Sequence, residues 1–175
     1  MSVTATGLVP ASVFAHNVTG GATQCDDITI PAGAQVARFQ LFNSDTQGGA
    51  ATDIDLDVFK GAGGTGTLVG SSGSGSSDEV VTLAAPAAGV YSACVTGFSV
   101  PTGGAQYTLS SWVVGPATGT QTLKASAPSS VYAGGSATIG LGWSVPAGKR
   151  YLGNLVYLND VAAPVGSTIV YVDNH

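Results

Sequence analysis

Of 175 residues only 5 are basic and 10 acidic, so 9% of the chain is charged and the formal net charge is −5, against about 25% charged residues in an average soluble domain. The cations Arg38, Lys60, Lys124, Lys149 and Arg150 are scattered, which removes the phosphate-neutralising contribution behind nucleic-acid binding and any strong attraction to an anionic membrane surface. Hydrophobic residues make up 44% of the chain, and its 26 glycines and 8 prolines fall short of the roughly 25–30% that marks low-complexity sequence, so the chain is expected to fold.

No apolar run reaches the roughly 18 residues of a bilayer span, and the N-terminal stretch lacks the basic and apolar regions of a secretory signal. The sequence is expected to be a piece of a longer precursor. Its two cysteines, Cys25 and Cys94, are too few for a structural zinc site. They are expected to pair; in the chain-entropy model such a bridge stabilises by roughly 4 kcal/mol where the compartment is oxidising. Two buried thiols are the alternative. Scarce Lys with abundant Ser, Thr, Gly and Ala favours an exported protein.

Nowhere do apolar residues hold a helical spacing for three turns without Gly or Pro, so the periodicity predicts strands almost throughout. Residues 1–20 are weakly patterned and read as a linker or a first strand. Asp26–Ile30, the turn Pro31-Ala32-Gly33 and the alternating stretch Ala34–Phe42 predict a hairpin. Asp53-Ile54-Asp55-Leu56-Asp57-Val58 is the cleanest alternation, with three apolar side chains on one face and three carboxylates on the other. The Gly/Ser/Thr-rich stretch 61–77 leaves room for one short strand at Leu68-Val69, and Glu79–Leu83 is the next strand. Val90–Gly97 and Gln106–Trp112 are predicted as adjacent antiparallel strands.

Gly115–Gly119 has no large apolar side chain and separates two strand-rich stretches, which makes it the expected boundary. The predicted organisation is therefore 1–20, a β-sandwich at 21–114, a linker at 115–119 and a second small β-sandwich at 120–175. The fold class is all-β.

The first unit resembles the bacterial pre-peptidase C-terminal domain through Thr52–Val58, Asp78–Leu83, Ala88–Gly97 and Gln106–Leu109. The second resembles the short fibronectin-III-like tail of secreted subtilisin-like serine proteases through Pro146–Gly153 and Gly166–Asp173. The resemblance implies a jelly-roll-like or Greek-key first sandwich and an immunoglobulin-like second one. It also implies a non-catalytic, secreted extension that assists secretion, maturation or substrate attachment. Its first partner would be a protease catalytic domain outside this chain.

The residues agree on the absence of a catalytic triad. A serine nucleophile needs a base and an orienting group, and the two histidines, His16 and His175, lie in the weakly patterned N-terminus and at the last position. Ser74 sits between Gly73 and Gly75 in a low-complexity stretch without the following helix of a nucleophile elbow.

Asp53, Asp55 and Asp57 are the one concentrated charge, and two readings stand: a solvated acidic face, or a calcium site. The EF-hand pattern is excluded, since it wants Gly where Val58 stands and Glu where Gly64 stands. On a regular strand the three carboxylates step by about 6.7 Å, so one ion reaches two of them. Some pre-peptidase-like domains bind calcium, which the resemblance carries to this triplet. A binding face for insoluble protein or polysaccharide needs exposed rings. Trp112, Trp143 and Tyr151 are the candidates, with packing inside or between the units as the competing role for the tryptophans. Tyr91 and Tyr107 read as core. The alternative function is thus a calcium-dependent or aromatic-face binding module.

Overall fold

The computed structural model describes residues 2–116, 122–132 and 134–175. Of the expected linker, 117–119 lie outside the described residues, as do 120, 121 and 133 of the expected second sandwich and residue 1. The strands in chain order are β1 (Ser2–Pro10), β2 (Ser12–Val18), β3 (Thr23–Ile30), β4 (Val36–Gln40), β5 (Asp53–Lys60), β6 (Thr67–Ser72) and β7 (Val80–Ala84). They continue with β8 (Gly89–Ser99), β9 (Ala105–Val114), β10 (Leu123–Ser126), β11 (Gly140–Trp143), β12 (Arg150–Leu158) and β13 (Pro164–Asp173). Two single turns of 3-10 helix, Asn43–Asp45 and Gly49–Ala51, are the helical elements among the described residues. The class is all-β.

The chain divides into two compact units, Ser12–Val113 on one side and Met1–Ala11 with Val114–His175 on the other. Residues 1–20, read from sequence as a linker or first strand, supply a strand to each. β1 pairs antiparallel with β12 from Ser2↔Leu158 to Pro10↔Tyr151, and β2 pairs with β9 from Ser12↔Ser111 to Val18↔Ala105. Their patterning is weak locally because their partners lie far along the chain.

The unit Ser12–Val113 is built from two four-stranded sheets, ordered β2-β9-β4-β7 and β3-β8-β5-β6. Alternation decides what each strand buries. Val18, Phe39, Val81, Tyr107 and Leu109 from the first sheet meet Ile28, Ile30, Ile54, Leu56, Val58, Tyr91 and Val95 from the second in one core. The expected hairpin across Pro31-Ala32-Gly33 is corrected: β3 and β4 belong to different sheets, and that turn carries the chain across the core. The same holds for β8 and β9, read as adjacent and found in opposite sheets. Both pairs have one core-facing row each, and a strand looks the same in sequence whether its neighbour lies beside it or across from it.

Between β3 and β8, Cys25 stands directly opposite Cys94 in the ladder, and the two form the expected disulfide with Cα atoms 4.0 Å apart. It joins strands 69 residues apart in sequence.

In the other unit, β1, β12 and β13 form a three-stranded sheet and β10 pairs with β11. Leu8, Leu123, Tyr151 and Leu155 make its core. Thr122 Oγ1 accepts the Leu8 N–H at 2.7 Å, and Arg150, opposite Asp173 in the ladder, donates Nε–H to its carboxylate at 3.1 Å.

Replacing both Cys25 and Cys94 by Ser is expected to lower the unfolding free energy by about 2–5 kcal/mol. Urea unfolding of the variant beside the wild type checks this.

Candidate functional site

The outer face of the β3-β8-β5-β6 sheet is set by register. With Ile54, Leu56 and Val58 committed to the core, alternation sends Asp53, Asp55 and Asp57 outward. Three cross-strand rows result: Thr23, Thr96 and Asp55; Cys25, Cys94 and Asp57; Asp27, Ser92 and Phe59. The three carboxylates of the sequence motif therefore do share one face, and the disulfide lies in the same surface beside them.

Loops from both ends fold onto this face. Asp27 Oδ1 accepts the Gly63 N–H at 2.8 Å and lies 2.7 Å from Ser92 Oγ, while the Gly61 carbonyl lies 2.6 Å from the same Oγ, so the single Ser92 hydroxyl proton serves both acceptors. These bonds hold the β5–β6 connection down over the disulfide. Gly64 has φ +72°, and a Cβ there would stand 2.8 Å from Cys25 Sγ and 2.9 Å from Cys94 Sγ, so only glycine lets the backbone rest against the bridge. Farther along, Glu79 is buried to 2% exposure. Its carboxylate accepts the Ser72 hydroxyl and the Ser74 N–H, the latter at 2.6 Å. Gly73 beside it is so close to Asp55 that a Cβ would stand 2.8 Å from Oδ1.

Two carboxyls of this face, Asp55 and Asp27, are shifted in opposite directions for separate reasons. The Asp55 carboxyl is pushed above its ordinary range by desolvation and then by the charges of Asp53, Glu79 and Asp57. Asp27 is held below it by the Gly63 N–H and the Ser92 hydroxyl. Asp53 Oδ1 is buried without a hydrogen-bond partner. Among the described residues no group of three or more His, Cys, Asp or Glu is placed to hold a metal ion.

Of the three rings considered for a binding face, Trp112 and Tyr151 are buried and Trp143 is 49% exposed. Burial takes the first two out of reach of a ligand. Tyr151 packs in a core and its hydroxyl donates to the Pro146 carbonyl at 2.9 Å.

Sequence reasoning set His16 aside, and the structure gives it a partner: Nε2 lies 2.9 and 3.0 Å from the two carboxylate oxygens of Asp26. His16 is on β2 and Asp26 on β3, edge strands of opposite sheets, so the contact clasps the sandwich at one side. Tyr107, opposite His16 in the ladder, is buried, its hydroxyl has no hydrogen-bond partner, and burial with the nearby Asp26 charge pushes its pKa up. No local pattern could have shown this cluster, because it needs the β2–β9 register. On the other face of the same strands an open groove of about 660 Å³ is lined by Asn17, Gln106 and Thr108, with Ser44–Gln47 as one wall. Gln47 holds that wall, its N–H donating to the Gln106 carbonyl at 2.7 Å and its Oε1 accepting the Gln106 N–H at 3.2 Å.

The sheet that carries the disulfide and the acidic row runs from β3 to β8. Residues 26–97 match the family model of the bacterial pre-peptidase C-terminal domain. No curated protein matches the chain. The matched stretch begins inside β3, one residue after Cys25, takes in β4 to β7, and ends within β8. It contains the whole acidic face and the loop over the disulfide, while β2 and β9 complete the sandwich from outside the matched residues.

Because Asp55 binds its proton more tightly folded than unfolded, its ionisation costs stability. The penalty is absent below about pH 4 and grows as pH rises through the raised folded value. Asp55→Asn is therefore expected to raise the melting temperature at pH 7, with the difference closing below about pH 4. Thermal unfolding followed by circular dichroism across pH 3–7 reads it.

Proposed function

We propose that the chain is the non-catalytic C-terminal extension of an exported subtilisin-like serine protease, a pre-peptidase C-terminal sandwich followed by a fibronectin-III-like tail. Its role is to assist secretion, maturation or substrate attachment. The observation that carries this is the pre-peptidase C-terminal match over residues 26–97, which falls within the folded unit Ser12–Val113. One further feature supports it: a disulfide suits an oxidising compartment. For substrate attachment, the groove beside Gln47 and Gln106 offers amide and hydroxyl groups to an insoluble protein or polysaccharide.

The test is an immunoblot of culture medium and cell lysate from the organism that makes the protein, with antibody raised to this chain. The expected antigen is extracellular, larger than the 17.2 kDa of the chain, and carries activity that a covalent serine-protease inhibitor removes. An antigen that stays in the cytoplasm with no catalytic domain attached overturns the proposal.

A second reading, a calcium-dependent or aromatic-face binding module, draws on the like-charge crowding around Asp55 and on the exposed ring of Trp143. Thermal unfolding in several-millimolar calcium and in excess chelator, at matched ionic strength, separates the calcium form of this reading from the first. The extension reading expects coincident curves. A site of the weak extracellular type stabilises by about 1 kcal/mol, and a rise of that size lost in Asp55→Ala favours the module.

A further inference from the structure

The Cys25–Cys94 bridge lies on the outer face of its sheet, where a thiol from solvent would arrive. Cys94 is 2% exposed and Cys25 is partly exposed. On that approach the backbone of Gly64 rests against both sulfurs, and Asp27 pins the loop there through the Gly63 N–H. Asp57 is the cross-strand neighbour of Cys94 on the side away from Cys25, which puts the two Cβ atoms about 4.5–5.5 Å apart. Asp27 follows Cys25 by two residues on the same face of β3. The disulfide is thus flanked by a carboxylate at each side. Lys60, the cation of β5, is turned from this row, its Cε about 4.0 Å from the Cβ position of Gly89.

We propose that the Gly61–Gly66 loop and the carboxylates of Asp27 and Asp57 form a guard over the Cys25–Cys94 disulfide, steric and electrostatic, that blocks its reduction by thiolates. Reduction starts when a thiolate RS⁻ attacks a bridge sulfur, here Sγ of Cys25, which belongs to the less buried of the two residues. An R–S–Sγ bond forms, the Sγ–Sγ bond breaks, and Cys94 leaves as a thiolate. A second thiol then attacks the mixed disulfide, releases RSSR and leaves Cys25 reduced: the protein gains two electrons and two thiols are oxidised. The guard opposes the first step twice. Gly64 occupies the space the nucleophile needs, and Asp27 and Asp57 repel both the incoming anion and the charge developing on Cys94.

The experiment follows loss of the bridge in the folded full chain by alkylation and mass spectrometry. Three small thiols, anionic mercaptoethanesulfonate, neutral mercaptoethanol and cationic cysteamine, are compared at equal thiolate concentration and low salt, each normalised to its rate on a small neutral disulfide. The expected order is cysteamine fastest and the sulfonate slowest, with a factor of about fivefold per unit charge that collapses in 1 M salt. Asp57→Asn is expected to narrow the spread. Gly64→Ala, which must lift the loop, is expected to accelerate all three while leaving the order intact. Asp27→Asn, which weakens the pin without adding bulk and also removes a guard charge, is expected to accelerate all three in part and to narrow the spread, and it serves if Gly64→Ala does not fold. Equal normalised rates for the three thiols, no response to Asp57→Asn and no acceleration in a folded loop variant overturn the proposal. So does a rate that equals global unfolding for every thiol and every variant.

Discussion

From Tyr91 to Val95 every side chain of β8 is buried, and that double burial governs the sandwich Ser12–Val113. An antiparallel strand ordinarily keeps one face for water. In β8 the inner row, Tyr91, Ala93 and Val95, goes into the common core, while the outer row, Ser92 and Cys94, must be covered by something else. The cover is the glycine-rich β5–β6 connection. It can lie flat because Gly64 has no Cβ, and it stays there because Asp27 and Ser92 hold Gly61 and Gly63.

Covering the outer face with backbone has an electrostatic consequence. A chain with 10 acidic residues concentrates Asp27, Asp53, Asp55, Asp57 and Glu79 around one sheet. Their fates differ with their donors. Asp27 and Glu79 each receive two hydrogen bonds, one of them in each case from a backbone N–H of a loop, and so serve as loop anchors. Asp55 is crowded by like charges and partly desolvated. The same surface is thereby made of pinned loops and crowded carboxylates.

The edge of the sandwich at β2 and β3 is closed by different means. There β2 and β3 are edge strands of the two sheets, and a polar contact, His16 with Asp26, spans them over the buried Tyr107 ring. Edge strands left unpaired invite association with other chains; a charged or polar clasp with a partly buried carboxylate blunts this edge. The pre-peptidase C-terminal match stops short of β2 and β9, so two strands of the sheet that completes the fold, the edge strand β2 and its neighbour β9, lie outside the matched residues.

The alternation in Asp53–Val58 by itself determined a half-buried strand with its carboxylates on one face, because a period of two leaves no other assignment once Ile54, Leu56 and Val58 seek a core. Glycine and proline spacing excluded helices and placed most strands to within a few residues. Tertiary structure alone decided which strands are neighbours. The turns at Pro31–Gly33 and before β9 cross between sheets instead of forming hairpins, and the weakly patterned first twenty residues are shared between two units, since strand pairing is a long-range choice that a local pattern does not encode. It also decided the chemistry of the surface. That Cys94 stands between Cys25 and Asp57, that Gly64 rests on the bridge, and that His16 meets Asp26 all depend on register between distant strands, where a shift of one residue would have turned every one of these side chains to the other face.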